Sequence, residues 1–225
     1  GGIAATARQA RIAEANRTVI ENWAPLADLP VRPRQNEWRA RTGLGDRFVY
    51  LYTGTLGLKH RPELLYRLAA QRVDDADVVV ISEGMGEARL REMLRERPLP
   101  NLRLLPFQPM DQYPDVLGAA DVLVALLEQT AGTFSVPSKV LSYLCSGRPI
   151  LAAIPPENLA ARTIVDQAAG VDPAGQLGLV RVGAAPTPIF RAGVLLDGQD
   201  RLEEIDLLHD AGEVAPPPPP PHPAA

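Results

Sequence analysis

Cysteine occurs once in the 225 residues, as Cys145. A lone thiol closes no internal disulfide and builds no multi-thiolate metal site, which points to a reducing compartment. Histidine is almost as scarce: His209 and His222 have no neighbours at metal-ligand spacing, and no HExxH motif or Ser-His-Asp arrangement is evident. Long apolar runs are missing too. The stretches Phe48–Leu58 and Ala119–Leu127 fall far short of the ~20 residues a spanning helix needs. The opening Gly1-Gly2-Ile3-Ala4 leads into Arg-bearing sequence with no apolar block, so no signal peptide is read there, and the absence of an initiator Met suggests a start inside a longer protein. A net charge of -4 excludes a basic nucleic-acid clamp as the default function. Lysine is the most telling scarcity, because of 23 basic residues only Lys59 and Lys139 are lysine.

What is present is ample apolar material, 46% of the chain, in three regions of different composition. Residues 1–47 are Arg- and Ala-rich, with a candidate helix over Ala4–Ile20 and then a connector broken by Pro25, Pro30 and Pro33. Trp23 and Trp38 are expected to pack that connector onto the following domain. Residues 48–171 alternate strand-like and helix-like segments. Residues 172–225 are Gly- and Pro-rich and end near the run Pro216–Pro221, an atypical tail expected to be disordered.

In the middle region, Phe48–Tyr52, Asp77–Ile81, Leu102–Leu105, Asp121–Ala125 and Pro149–Ile154 read as buried strands. Helical patterns follow Pro62 with Leu64, Leu65, Leu68 and Ala69 on one face, and then cover Glu87–Arg97, Asp111–Ala119, Ser138–Cys145 and Glu157–Ala168. Asp74-Asp75-Asp77 reads as a solvated turn. The order implies an α/β fold, a Rossmann-like parallel sheet with helices on both faces. Ligands of such sheets bind beyond the carboxyl ends of the strands.

Three loops lie there. The first, Thr53-Gly54-Thr55-Leu56-Gly57-Leu58-Lys59, has two glycines after a buried strand, which would let backbone amides approach an anion. It lacks both the P-loop and the dinucleotide fingerprint. In the second, Ser82-Glu83-Gly84-Met85-Gly86, the Gly-x-Gly could admit a base or ribose edge, or simply form a tight turn. The third, Val136-Pro137-Ser138-Lys139, opens a helix that stops at Gly147, so the Ser138 and Lys139 amides, the Ser138 hydroxyl and the Lys139 ammonium converge as an anion site. A capped surface helix is the bland alternative. His60 reads as a solvated first-turn residue and Cys145 as a packed thiol.

The series Glu21-Asn22-Trp23-Ala24, Asn36-Glu37-Trp38-Arg39, Tyr52-Thr53-Gly54-Thr55-Leu56-Gly57, Asn101–Pro106, Ala119-Ala120-Asp121-Val122 and Pro137-Ser138-Lys139 through Gly147-Arg148-Pro149 resembles family 4 (group 1) glycosyltransferases, and within them the colanic-acid-type branch of bacterial exopolysaccharide enzymes. The resemblance covers about residues 18–171. It implies the C-terminal, donor-binding half of a GT-B fold, with 1–47 as the end of the acceptor domain and the connector, and 48–171 as the nucleotide-sugar domain. The implied reaction is metal-independent and retaining: transfer of a hexosyl unit from a UDP- or GDP-linked sugar to a glycan or polyprenyl-linked acceptor in polysaccharide biosynthesis, with no cofactor and no nucleic-acid partner. The implied location is cytoplasmic, with peripheral membrane contact through the half of the enzyme that precedes this chain.

Carried over residue by residue, Lys59 matches the phosphate lysine, and Gly54, Thr55 and Gly57 lie in the loop near the donor diphosphate. Gly84 and Gly86, beside Glu83, match the glycines near the base. Ser138 and Lys139 match a Pro-Ser-Lys variant of the diphosphate loop. Three positions depart from the family pattern. Thr55 stands where many relatives have an arginine, leaving Lys139 to supply the second cation. Ser142 and Phe134 stand where relatives have the two glutamates of an E-x7-E pair, and Glu128 is the remaining carboxylate for the sugar hydroxyls. Beyond Gly170-Val171 the expected strand and terminal helices are absent, and the tail from Gly175 looks foreign to the family. Two rival functions are a nucleotide-sugar epimerase, for which the loops offer only Glu83, Glu128 and His60, and a non-catalytic module whose Pro216–Pro221 run is a polyproline II ligand.

Overall fold

Five strands form one parallel sheet: β1 (Phe48–Thr53), β2 (Ala76–Ile81), β3 (Leu102–Leu105), β4 (Val122–Leu126) and β5 (Ile150–Ala153). Their order across the sheet is β3-β2-β1-β4-β5. The computed structural model describes residues 27–127, 138–154, 158–161 and 164, without the Lys59 side chain. The helices are α1 (Glu37–Arg41), α2 (Glu63–Gln71), α3 (Met85–Glu96), α4 (Tyr113–Gly118) and α5 (Lys139–Cys145), with 3-10 turns at Leu58–His60 and Met110–Gln112. Each expected strand forms, with ends shifted by a residue or so. The single helix expected over Asp111–Ala119 divides into a 3-10 turn and α4, with Pro114 in the first turn of α4. Of the helix expected over Glu157–Ala168, residues 159–161 and 164 are helical and the remainder lies outside the described residues, as do Ala4–Ile20, Trp23 and the tail.

Alternate residues of the strands face opposite sides, so each strand feeds two cores. Val49, Leu51, Val79, Leu123 and Ile150 pack with Val116 and Leu117 of α4 and with Val140 and Tyr143 of α5. Tyr50, Tyr52, Val78, Val80 and Val124 pack on the other side with Leu65 and Leu68 of α2 and Leu90 of α3. The first core also takes in Trp38 and Leu44, so the connector is seated in the domain, and the Trp38 indole donates to the Gln108 side chain at 2.9 Å.

The amino ends of the strands carry a cluster of buried charges. Arg39 is 1% exposed and donates to the carbonyls of Gly45, Ala119 and Arg47 at 2.8, 2.5 and 2.5 Å. Its guanidinium lies 3.8 Å from Asp121, which also accepts from Arg34 at 2.6 Å and from the Val49 amide at 2.8 Å. Burial pushes the Arg39 guanidinium below its ordinary pKa. Asp77 corrects the expected solvated turn. Asp74 and Asp75 are exposed, but Asp77 is 2% exposed inside β2 and held by Arg47 at 2.9 Å and Arg103 at 3.0 Å. An arginine from each flank makes that burial tolerable.

Candidate functional site

From β1 the chain winds outward to β2 and β3, then crosses back to β4 and β5 on the other side. The order therefore reverses between β1 and β4, and a parallel sheet opens its ligand crevice at such a point, beyond the carboxyl ends. The register shows the opening. β1 pairs with β2 over six residues, but with β4 only at Tyr50↔Val122 and Leu51↔Leu123. Past Leu51 the two strands are no longer partners.

Lys139 stands over this gap. It starts α5 on one face of the sheet, yet its ammonium sits 3.7 Å above the centroid of the Tyr52 ring, which belongs to the opposite core. The side chain thus crosses the carboxyl lip of the sheet. A Cβ built at Gly54 would lie 3.4 Å from the Lys139 Nζ, so the glycine leaves the ammonium room. Gly54 has φ +104°, a conformation disfavoured for side-chain-bearing residues. The ammonium is buried and makes no hydrogen bond among the described residues. The tyrosine face is its visible attraction. Burial pushes its pKa down from 10.5 to about 7.

The two glycine loops behave differently from the expectation that their amides and open faces meet a ligand. The Gly54 amide donates to Ile81 O at 3.0 Å, Leu56 to Glu83 O at 3.1 Å, and Gly57 to the His60 Nδ1 at 3.0 Å. These donors are already satisfied within the protein. Gly86 donates to Leu56 O at 2.8 Å, and a Cβ there would stand 2.6 Å from that same oxygen. At Gly84, where φ is +111°, the corresponding distance is 3.2 Å. The Gly-x-Gly therefore seats Leu56 and locks the first loop onto the second. Gly86→Ala should lower stability by about 1–3 kcal/mol through overpacking, read as a lower denaturant midpoint at unchanged slope.

At the tip of β1, the Thr53 amide donates to the Tyr143 hydroxyl at 3.0 Å, and Thr53 Oγ1 lies 3.1 Å from the Tyr113 hydroxyl. Neither tyrosine is among the residues the sequence marks. The available signals were a polar residue ending an apolar strand and a tyrosine one helical turn after the lysine. Thr55, Glu83 and Ser138 are exposed on the same edge, and Ser142 is half-buried on α5. Gly54, Gly84, Gly86 and Lys139 are brought together around Leu56 and Tyr52. The Lys59 side chain, Glu128, Phe134 and Pro137 lie outside the described residues, so their convergence on Lys139 is not part of the observed geometry. Cys145 donates to Leu141 O at 3.2 Å, consistent with a packed thiol. Among the described residues, no group of three or more His, Cys, Asp or Glu side chains could hold a metal ion, and no helix is long and apolar enough to cross a membrane.

No protein-family model matches the chain. A segment of 101 residues, 44% of the chain, is 31% identical to the putative colanic acid biosynthesis glycosyl transferase WcaI of Escherichia coli K12, and covers 25% of that protein. Among solved structures, HepE of Anabaena in complex with UDP-glucose superposes with a TM-score of 0.56 at 18% identity, over 70% of this chain and 43% of HepE. The likeness is one of fold: the parallel, Rossmann-like α/β sheet described above matches under half of that chain. WaaG, a glycosyltransferase involved in lipopolysaccharide biosynthesis, gives 0.52 at 17% identity, over 75% of this chain and 46% of WaaG. Sucrose-phosphate synthase from Thermosynechococcus elongatus gives 0.53 at 15%, over 76% and 42%. The chain thus spans about a quarter of its curated relative and under half of these solved chains.

Proposed function

We propose that this chain is the donor-binding half of a group 1 glycosyltransferase of the kind that builds bacterial polysaccharides, and that it grips the diphosphate of a nucleotide sugar at the β1/β4 crevice. One observation carries the reading: a buried ammonium without a hydrogen-bond partner among the described residues, at the switch point, with a glycine above it. Burying such a cation is unfavourable unless a counter-charge arrives. A diphosphate supplies one. The HepE complex with UDP-glucose and the sequence likeness to WcaI support a nucleotide sugar as its source.

In transfer, the bond from the anomeric carbon to the β-phosphate oxygen breaks; the cationic carbon takes an acceptor hydroxyl oxygen, whose proton passes to the departing diphosphate, and the electron pair of the broken bond builds negative charge on the β-phosphate oxygen. An ammonium fixed at the oxygen stabilises that charge as it develops, in a site where water screens it little. Lys139 takes that role, with Ser138 and Thr55 at the exposed rim and Lys59, Glu128, Glu83 and Ser142 as the further donor-side candidates. A reaction run this way with retention needs no metal. The acceptor, a glycan or polyprenyl-linked sugar, would come from the other half of the enzyme, as would any contact with the inner face of the plasma membrane. The working location is the cytoplasm.

Calorimetric titration with UDP, GDP and their hexose conjugates tests the proposal. Losing one charge-assisted phosphate contact costs about 1.5–3 kcal/mol, so Lys139→Met should bind roughly 10- to 150-fold more weakly. The same variant should melt at an unchanged or higher temperature, because it removes a charge held out of water. Equal affinity in the two proteins would end the assignment.

A further inference from the structure

The tip of β1 is finished in an unusual way. In a parallel sheet, successive backbone amides of a central strand point to its two neighbours in turn. The Gly54 amide goes to β2, at Ile81 O, so the Thr53 amide is directed to the β4 side, where strand pairing has already stopped at Leu51. Tyr143 fills the vacancy with its hydroxyl, 3.0 Å away. Its ring is fully buried in the first core, and the Ser146 hydroxyl donates to its carbonyl at 2.7 Å. Tyr143 stands one helical turn after Lys139, on the same side of α5. The helix is therefore pinned to the two last residues of β1: Thr53 through the tyrosine hydroxyl and Tyr52 through the ammonium.

We propose that Tyr143 is a positioning residue for Lys139: by accepting the Thr53 amide, its hydroxyl holds the first turn of α5 where the ammonium crosses the lip of the sheet. The hydroxyl is too deep to touch a ligand, so its contribution acts through the lysine. Tyr113 is a lesser part of the same device, steadying the Thr53 hydroxyl from α4 at 3.1 Å. Phenylalanine at 143 would fill the core equally well. It would also leave a buried amide without an acceptor, and the tip of β1 would then move toward another partner. The value of the device rests on Lys139 gripping a diphosphate, but its geometry can be tested without a ligand.

The chain has only two lysines, which makes a direct readout possible. Growth on lysine 13C-labelled at Cε marks only Lys59 and Lys139 in the full chain, and a Lys139→Arg variant assigns the Lys139 signal. Protons of the Cε methylene that carries an ammonium 3.7 Å over a tyrosine ring are displaced upfield by its ring current. In Tyr143→Phe that displacement should largely collapse while the protein stays folded, and UDP should bind about ten- to a hundred-fold more weakly. A folded Tyr143→Phe protein with the displacement intact would overturn the proposal, whatever its melting temperature. If Tyr143→Phe does not fold, Tyr113→Phe is read by the same signal. A partial loss of displacement supports the device, and none overturns it. A collapse in Tyr143→Phe, together with a wild-type chain that binds no nucleoside diphosphate, would establish the positioning and remove the function it was thought to serve.

Discussion

Replacing Arg39 with methionine should destabilise the protein by roughly 3–5 kcal/mol, the range for removing one partner of a buried charge pair. In a chain of this length, that corresponds to a fall in melting temperature of roughly 6–20 °C. The reason is the number of groups left behind. Three backbone carbonyls lose the Arg39 hydrogen bond, Arg47 O keeping Arg34 at 3.1 Å, and Asp121 keeps Arg34 and the Val49 amide. Asp121 joins the starts of β1 and β4, because its own amide donates to Val49 O at 2.9 Å while its carboxylate accepts from the Val49 amide. The damage should therefore spread through the sheet, although Arg39 lies in the connector. A melting temperature within a degree or two of wild type would show the cluster to be dispensable. Affinity for a nucleoside diphosphate, measured well below the transition, should stay unchanged, since the cluster lies at the opposite end of the strands from Lys139.

The second large effect is on pH. Burial pushes the pKa of the free Lys139 ammonium down to about 7, and a bound diphosphate would favour the charged form and raise it again. Binding above that pH must then take up a proton, and affinity should fall about tenfold per pH unit from ~7 upward until the pKa of the bound state is passed. Calorimetry in buffers of different ionisation enthalpy would register the uptake directly. Lys139→Met should give a flat profile over the same range. Stability has its own sign. Between about 7 and the unfolded value of 10.5, the unfolded chain holds a proton on Lys139 that the folded chain has lost. This residue therefore makes the protein more stable as pH rises through that window, while ligand affinity declines. Opposite slopes for melting and binding would be a signature of this lysine.

Much of this architecture was legible in the residues. Continuous apolar runs such as Val78–Ile81 mark strands covered on both faces, and the spacing of strands and helices dictates the parallel sheet and its ligand edge. Lysine scarcity marks Lys139, which lies at that edge. What could not be read depends on which side of a chain meets which neighbour. Asp77 resembles its exposed neighbours Asp74 and Asp75 in sequence, and only the approach of Arg47 and Arg103 from distant segments distinguishes it. Gly84 and Gly86 look like openings for a ligand until Leu56 is seen to fill the space they leave. Tyr143 has the pattern of any core aromatic residue. That its hydroxyl takes the place of a strand carbonyl follows from where β1 and β4 part, and no local pattern records that point.

The short border between β1 and β4 also bears on how the molecule would come apart. With only two register pairs across it, against six between β1 and β2 and four between β4 and β5, it is the tear line of the sheet. Pulled or thermally strained, the domain would divide into two leaves, one carrying Gly54 and the other Lys139. A guest clasped by both leaves would rivet them together, so mechanical resistance along this seam, measured with a single molecule in a force trap, should report occupancy of the crevice even where no turnover can be detected.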